Sequence, residues 1–585
     1  MAICSDKYSL VAAQFLYTLR LADGGHLVKK RCGSICRVRR KQIAEAKPLK
    51  SKADVARDWN KTVAEIEAKP LPASLPALVD RSAALYGNRV AWSFFERGEH
   101  VTFMEARLLS LRAAGALRNW GVHRGVNVAV MVENSPAYLV AWLALARLGA
   151  AIVPVNTRYT SRELEHVLRL SRARLLIVDL ALLPVAEELG DRVDFRVVTV
   201  GGSSSALDWA TALAGTAPIE YGDSDASLED VVNIQFTSGT TGFPKGCILT
   251  QRYWVQAAVS WGEYLGNSIR SAILNQRLFY IDGQFLALAC LYMGATYHIC
   301  SKPSVAKFTR WLSDLHIDYC WYAEPLFKTP PEGEFTGALK LLHIFGFSPT
   351  NHAALQLRYK TIARESYGMS ECAPALMMPL DAEVMVGSGS CGLPAPCTET
   401  KIVDAAGNRV PRGEVGELLI KSPAMMRGYY GDSVATAQTI EGGWLKTGDL
   451  FRQDEAGFFY IVGRKKDMVR RNSENISCRE VEEIIRQIPG VLEAAMVPVK
   501  DSVVGEEPKV YIQLQEGLSA ADVPPTLIMD FCRKQLAPFK TPRYIEYVKD
   551  FPLTESARVA KQAMIADVKD LRVGSYDVLE GAWIS

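Results

Sequence analysis

Phe236-Thr237-Ser238-Gly239-Thr240-Thr241-Gly242-Phe243-Pro244-Lys245-Gly246 gathers hydroxyls, glycines and one lysine directly behind an apolar run. That run, Val231-Val232-Asn233-Ile234-Gln235-Phe236, reads as a buried strand, and Cys247-Ile248-Leu249-Thr250 resumes the pattern beyond the loop. Glycines let a backbone take positive φ and approach a ligand, while Ser and Thr hydroxyls, amide N–H groups and Lys245 can bond phosphate oxygens. A Walker A loop needs Gly, four residues, then Gly-Lys-Ser/Thr, and the spacing here differs. A Gly/Ser/Thr run also makes plain turns. The flanking order, with a strand before the loop and Pro-Lys-Gly at its end, favours a phosphate cradle.

Outward from this loop the chain alternates helical patterns with short apolar strands. Asn127 to Val132, Ala150 to Val155 and Arg174 to Val178 lie before it; Ala295 to Ile299 and Lys340 to Phe345 lie after it. This alternation is the α/β signature. Between Lys401 and Ile420 the texture changes to short strands joined by Gly-Asn and Arg-Gly turns, the mark of a small β subdomain. A second change follows Gly463-Arg464-Lys465-Lys466-Asp467. There Ser477 to Gln487 has helical spacing with a Ser N-cap, and Ala494 to Val499 and Lys509 to Leu514 alternate like strands. A domain boundary is expected at Lys466, with a small α+β domain beyond it.

At 585 residues, 49% hydrophobic and 22% charged, the chain is long enough for several cores. A formal net charge of +3 is too small to point to nucleic acid or a membrane surface as the main partner. The basic excess is local. Lys29, Lys30, Arg31, Arg37, Arg39, Arg40 and Lys41 crowd residues 1–55, which read as a basic, poorly ordered extension. Ser9 to Leu21 lacks a basic start and a small-residue cleavage site, which argues against a secretory signal. Tyr138 to Val155, the longest apolar tract, carries Arg147 and follows a Glu133-Asn134-Ser135-Pro136 turn, so a buried helix and strand are expected rather than a transmembrane segment. Twelve cysteines without paired ligand spacing read as reduced thiols of a cytoplasmic protein, not as a zinc site.

Three further segments give the loop its chemistry. Ser366-Tyr367-Gly368-Met369-Ser370-Glu371 offers an aromatic face for a purine, a close-approach glycine and a carboxylate able to hold Mg²⁺. Gly442-Gly443-Trp444-Leu445-Lys446-Thr447-Gly448-Asp449-Leu450 ends on an Asp able to accept both ribose hydroxyls, and Gly463-Arg464 adds a cation. Taken singly, Tyr367 is also a core residue, Asp449 a turn former and Arg464 a surface charge.

In this order the motifs resemble the adenylate-forming superfamily of acyl-CoA synthetases, nonribosomal-peptide adenylation domains and firefly luciferases, over about Leu71 to Lys561. Ile281-Asp282-Gly283-Gln284 and Arg470-Arg471 with Glu474-Asn475-Ile476-Ser477 are similar to crotonobetaine/carnitine-CoA ligases. The resemblance implies a large multi-layer α/β AMP-binding domain over 56–465, carrying the small β subdomain, and a mobile α+β lid over 466–585 that turns about Lys466. It implies ATP-dependent activation of a small-molecule carboxylic acid to an acyl-adenylate, then transfer to CoA. Thr237, Ser238, Gly239, Thr240, Thr241, Gly242 and Lys245 would hold the ATP phosphates, Tyr367 with Gly368, Met369 and Ser370 the adenine side, and Glu371 the Mg²⁺. Asp449 would hold the ribose, and Arg464 ribose or phosphate. Tyr280, Asp282 and Gly346 would line the acid pocket.

The chain departs from the pattern in three places. The late motif usually ends Thr-x-x-Gly-Lys; here Pro552-Leu553-Thr554-Glu555-Ser556-Ala557-Arg558-Val559-Ala560-Lys561 puts Arg558 in register and Lys561 three residues on. A helix there would set both on one face, with either as the catalytic cation. Tyr280 stands where many relatives have His. Asn472 and Ser473 stand where relatives carry glycine, on the strand that lines the CoA tunnel. Two alternatives follow: transfer to a carrier-protein phosphopantetheine, or a catalytically weakened nucleotide-binding homologue. The sequence does not fix the oligomeric state.

Overall fold

Strands apolar on both faces belong in the middle of a parallel sheet, and the N-terminal half is built on that rule. In one six-stranded sheet the order is Arg196–Val200, Leu175–Asp179, Asn127–Met131, Ala151–Pro154, Val231–Thr237 and Lys245–Thr250. All its pairs are parallel except the last, where Phe236 faces Gly246 and Thr237 faces Lys245. The two flanks of the glycine-rich loop are therefore hydrogen-bonded neighbours. The computed structural model describes residues 49–202, 207–219, 226–237, 245–330, 332–465, 467–471, 474–502, 504–536, 538–554, 558–566 and 568–585. Ser51–Ser585 is one compact unit. It opens on helix Lys52–Glu67, N-capped by Ser51.

The longest apolar tract folds as helix Pro136–Arg147, buried on every side except near its first turn. An all-round apolar helix of this length belongs inside a protein. Arg147, 2% exposed, is tolerated because Nη2 lies 2.6 Å from Asp80 Oδ1 and Nε donates to Ser110 Oγ at 2.8 Å. Among the described residues no helix is long and apolar enough to cross a membrane.

A fourteen-stranded sheet carries the rest of the larger part. Its parallel centre includes Tyr319–Tyr322, Leu341–Ile344 and Ile362–Met369. At Ile362–Met369 the direction of pairing changes, and antiparallel strands continue through Ala373–Met377, Ser390–Pro394, Phe459–Arg464, Trp444–Gln453, Gly416–Lys421 and Glu399–Val403. The predicted β subdomain is thus the antiparallel end of the same sheet.

The third sheet has seven strands and lies wholly after Arg464. Val469, Val481, Ile485, Met496, Ile512 and Ile528 form a core of their own beneath it. The predicted helix is Cys478–Ile485, and Ser477 Oγ accepts from Glu480 N at 3.3 Å. Such a cap is worth about 1 kcal/mol. The same hydroxyl donates to Val462 O on the last strand of the larger part. A helix that would set Arg558 and Lys561 on one face does not extend over both. Thr554 N donates to Arg558 O (2.6 Å) and Ala560 N to Pro552 O (2.7 Å), with Leu553 and Val559 paired antiparallel, and the helix begins only at Lys561.

Candidate active site

Strand pairing brings the dispersed motifs together. Asp449 and Arg464 are register partners on adjacent antiparallel strands, and Arg464 Nε lies 2.8 Å from Asp449 Oδ1. On the other side Tyr367 Oη donates to Asp449 Oδ2 at 2.6 Å. The carboxylate is 2% exposed, and its own N–H donates to Thr447 Oγ1 at 3.1 Å. The Tyr367 ring meets Phe451 edge-on at 4.9 Å. Burial, then Asp449, pushes the phenol pKa well up, so it stays a donor. At Arg464 burial pulls the pKa down, but Asp449, Tyr367 and Asp467 outweigh it and the net shift is upward.

Gly368 shows why the motif needs glycine beside its tyrosine. A Cβ there would meet Ala373 O at 2.5 Å, because the strand shifts register between Tyr367 and Gly368 as it pairs with Ala373–Met377. The connection holds Met369, Ser370 and Glu371. Tyr253 Oη donates to Ser370 O at 3.2 Å and accepts from Ala373 N at 3.1 Å, which fixes the turn. Glu371, 8% exposed, accepts from Tyr429 Oη at 3.1 Å, and burial raises its pKa. Lys245 Nζ stands over the Tyr429 ring, 5.1 Å from its centroid. The end of the glycine-rich loop and the Glu371 carboxylate therefore share Tyr429, a residue with no motif around it. Thr237 is described on the strand side of the loop. Ser238, Gly239, Thr240, Thr241, Gly242, Lys466, Asn472 and Ser473 lie outside the described residues.

Arg558 and Lys561 have different surroundings. Lys561 Nζ pairs with Glu482 at 2.7 Å within the C-terminal part. Burial pulls its pKa down, yet Glu482, Cys478 and Asp467 together carry it upward. Arg558 is exposed at the surface. Burial and then Arg464 lower its pKa, while Asp282 and Asp449 oppose them. Arg558 is thus the member of the pair that senses Asp449 and Asp282.

Asp282 sits in the first turn of helix Ile281–Met293, capped by Tyr280, whose ring lies 4.5 Å from Phe279. Burial lifts the Asp282 pKa to about 6, and Arg558 opposes the lift. Gly346, at φ 59°, has open space where a Cβ would stand, and its N–H donates to Glu365 Oε1 at 2.5 Å. Glu365, 7% exposed, is pushed up to about 8 by burial, against the Gly346 N–H and Arg479. Sequence reading passed over Glu365. The signal was present: it stands two residues before Tyr367 on one strand, where alternation puts both on the same face.

The comparisons follow this geometry. Residues 79–430, more than half of the chain, match the family of AMP-binding enzymes, and residues 480–558 match the AMP-binding enzyme C-terminal domain. A long-chain-fatty-acid–CoA ligase of Escherichia coli O6:H1 is 29% identical over 86% of this chain and 97% of its own. A crotonobetaine/carnitine–CoA ligase of Citrobacter koseri is 28% identical over 84% of this chain and 98% of its own. In structure, the chain is similar to ATP-bound MatB from Rhodopseudomonas palustris, with TM-score 0.78, 24% identity, and 85% and 99% of the two chains covered. The chain belongs to the AMP-binding enzymes, the adenylate-forming acyl-CoA synthetases whose motifs converge on Asp449.

Proposed function

We propose that the protein is an AMP-forming acid–thiol ligase that activates a carboxylic acid with ATP and passes the acyl group to CoA. The observation that carries this reading is the Tyr367–Asp449–Arg464 cluster, in which the Asp449 carboxylate takes the Tyr367 hydroxyl on one side and lies 2.8 Å from the Arg464 guanidinium on the other. Asp449 accepts from the ribose hydroxyls, Tyr367 lies beside the adenine with Gly368, Met369 and Ser370, and Arg464 contacts ribose or phosphate. Residues Thr237 to Gly242 and Lys245 hold the phosphates.

In the first half-reaction an oxygen of the acid's carboxylate attacks the α-phosphorus, the P–O bond to pyrophosphate breaks, and acyl-AMP forms. Two anions must meet, so a cation has to stand between them. At about 4 Å and an effective dielectric near 20, each opposite-charge pair contributes roughly 4 kcal/mol before desolvation. Arg558 is that cation, and its planar fork can bridge a carboxylate and a phosphate oxygen. Glu371 fits Mg²⁺: it is a buried oxygen donor with a raised pKa, which a cation would relieve. Bound there, Mg²⁺ supplies charge neutralisation for the leaving phosphates. The acyl-adenylate is a mixed anhydride, and the lid over 466–585, turning about Lys466, keeps water from it. In the second half-reaction the thiol sulfur of CoA bonds to the acyl carbon, AMP leaves, and the thiol proton passes to solvent. Asn472 and Ser473 line the thiol's approach, and Tyr280, Asp282 and Gly346 line the acid pocket. The nine described cysteines are unpaired, which supports a cytoplasmic setting.

Acid-dependent exchange of labelled pyrophosphate into ATP tests the first half-reaction. Exchange with no acid of a broad panel, while ATP still binds, removes the ligase reading and leaves a nucleotide-binding protein. Free CoA added to an active pair then tests the acceptor, with thioester as the expected product.

A further inference from the structure

Tyr429 stands outside the motifs and touches two of them. Its segment runs antiparallel beside the return strand Lys245–Thr250, with Tyr429 bridged to Cys247. Arg427 N donates to Ile248 O at 2.9 Å, Ile248 N to Gly428 O at 2.9 Å, and Tyr430 N to Gly246 O at 2.8 Å. The same segment holds the turn that carries Glu371, because Met426 N donates to Glu371 O at 2.8 Å. Residues 426–430 therefore bond both the end of the glycine-rich loop and the Glu371 turn through backbone alone. The tyrosine is pinned as well: its N–H donates to Thr436 Oγ1 at 2.9 Å, and that hydroxyl donates to Asp432 O at 2.7 Å. Gly428 permits the contact, since at φ 147° a Cβ would meet Thr436 Cγ2 at 2.5 Å.

From this fixed backbone the side chain makes two contacts. Tyr429 Oη donates to Glu371 Oε1 at 3.1 Å, and the ring centroid lies 5.1 Å from Lys245 Nζ. Glu371 and Lys245 bear opposite charges, yet among the described residues they form no ion pair with each other. A direct pair would cancel the charge that each can offer a ligand. Tyr429 instead gives each an uncharged partner, a hydroxyl donor for the carboxylate and a quadrupole for the ammonium. We propose that Tyr429 is a positioning residue of the nucleotide site: its hydroxyl orients the Glu371 carboxylate, its ring face holds the Lys245 ammonium, and both charges stay available to the ATP phosphates and Mg²⁺. This rests on the roles given to Glu371 and Lys245 in the ligase reading above.

The test measures ATP binding to the full chain by calorimetry, without acid, once in EDTA and once in Mg²⁺. The proteins are the wild type, Tyr429→Phe, Tyr429→Leu, Glu371→Gln and the double variant Tyr429→Phe with Glu371→Gln. Tyr429→Phe keeps the ring and loses the hydroxyl, so its Kd in EDTA should match the wild type while the tightening brought by Mg²⁺ shrinks about threefold. Glu371→Gln should remove more of that tightening, and Tyr429→Phe should add nothing to it, because the hydroxyl acts through that carboxylate. Tyr429→Leu also loses the ring face, and its Kd in EDTA should rise about threefold. A tyrosine that served folding alone would lower the Tm and leave the ratio of the two Kd values unmoved. An unmoved ratio in Tyr429→Phe, or additive losses in the double variant, overturns the inference, and equal Kd values in EDTA for Tyr429→Phe and Tyr429→Leu overturn the part given to the ring. If pyrophosphate exchange fails with every acid while these binding differences stand, the ligase reading falls and this one survives; if exchange proceeds and the differences are absent, the reverse holds.

Discussion

Asp449 and His343 are both buried polar groups of the fourteen-stranded sheet, yet their surroundings are opposite. Asp449 accepts a hydrogen bond from a phenol on Oδ2, and its Oδ1, which has no hydrogen-bond partner of its own, lies 2.8 Å from the Arg464 guanidinium as an ion pair. His343 is ringed by aromatic carbon and has no partner. The first arrangement is preorganised: its geometry exists before any nucleotide arrives, so little has to be ordered on binding.

The sharpest way to break the comparison is Asp449→Ala. It leaves Arg464 and Tyr367 facing each other without the carboxylate and removes both acceptors proposed for the ribose, and charge-assisted bonds contribute about 1.5–3 kcal/mol each. Pyrophosphate exchange should fall on the order of 1000-fold, and a drop below tenfold would show that the network is scaffolding. Next in size is Arg558→Ala, expected to slow exchange on the order of 100-fold. Lys561→Ala serves as its control: it should cost about 1–2 kcal/mol of stability, since Glu482 keeps bonds from Met496 N and Arg486, and less than about tenfold in exchange. Equal rate losses in the two variants would undo the assignment of the cation. Glu371→Gln should raise the Mg²⁺ concentration needed for half-maximal exchange severalfold, read from a metal titration after EDTA treatment; an unchanged midpoint would move the ion elsewhere.

The smallest effect concerns pH. Glu365 is pushed up to about 8 in the folded protein and titrates near 4.3 when unfolded. Between those values the native state holds a proton that the unfolded state has released, so this group's contribution to stability declines as pH rises through the window. Glu365→Gln should flatten the Tm profile by a few degrees between pH 5 and pH 8, and a slope identical to the wild type would show that Glu365 is not the group responsible.

Local pattern carried much of this into the sequence, because period and capping are local. The strand before the glycine-rich loop, the helix capped by Ser477 and the strands at Val491–Asp501 and Gly505–Leu514 all stand within a few residues of their expected places. What pairing decides was not legible. Trp92 faces Tyr297 across two strands, and the β subdomain proves continuous with the parallel sheet, contacts that no window of sequence contains. The placing of Arg558 outside the helix that begins at Lys561 has the same origin, since the backbone bonds Thr554 N to Arg558 O and Ala560 N to Pro552 O pair residues that spacing alone could have put on one helix. Tyr429 meets Glu371 from 58 residues away with no motif to announce it.

One hydroxyl remains to be followed. Ser477 Oγ accepts from Glu480 N inside its own helix and donates to Val462 O across the seam. Were the lid to turn about Lys466 as proposed, the first bond would travel with the helix and the second would have to part. Ser477 would then be a latch fixed on one side only, and its strength would set a tempo: removing the hydroxyl would hasten release, while the helix it caps would fray a little sooner.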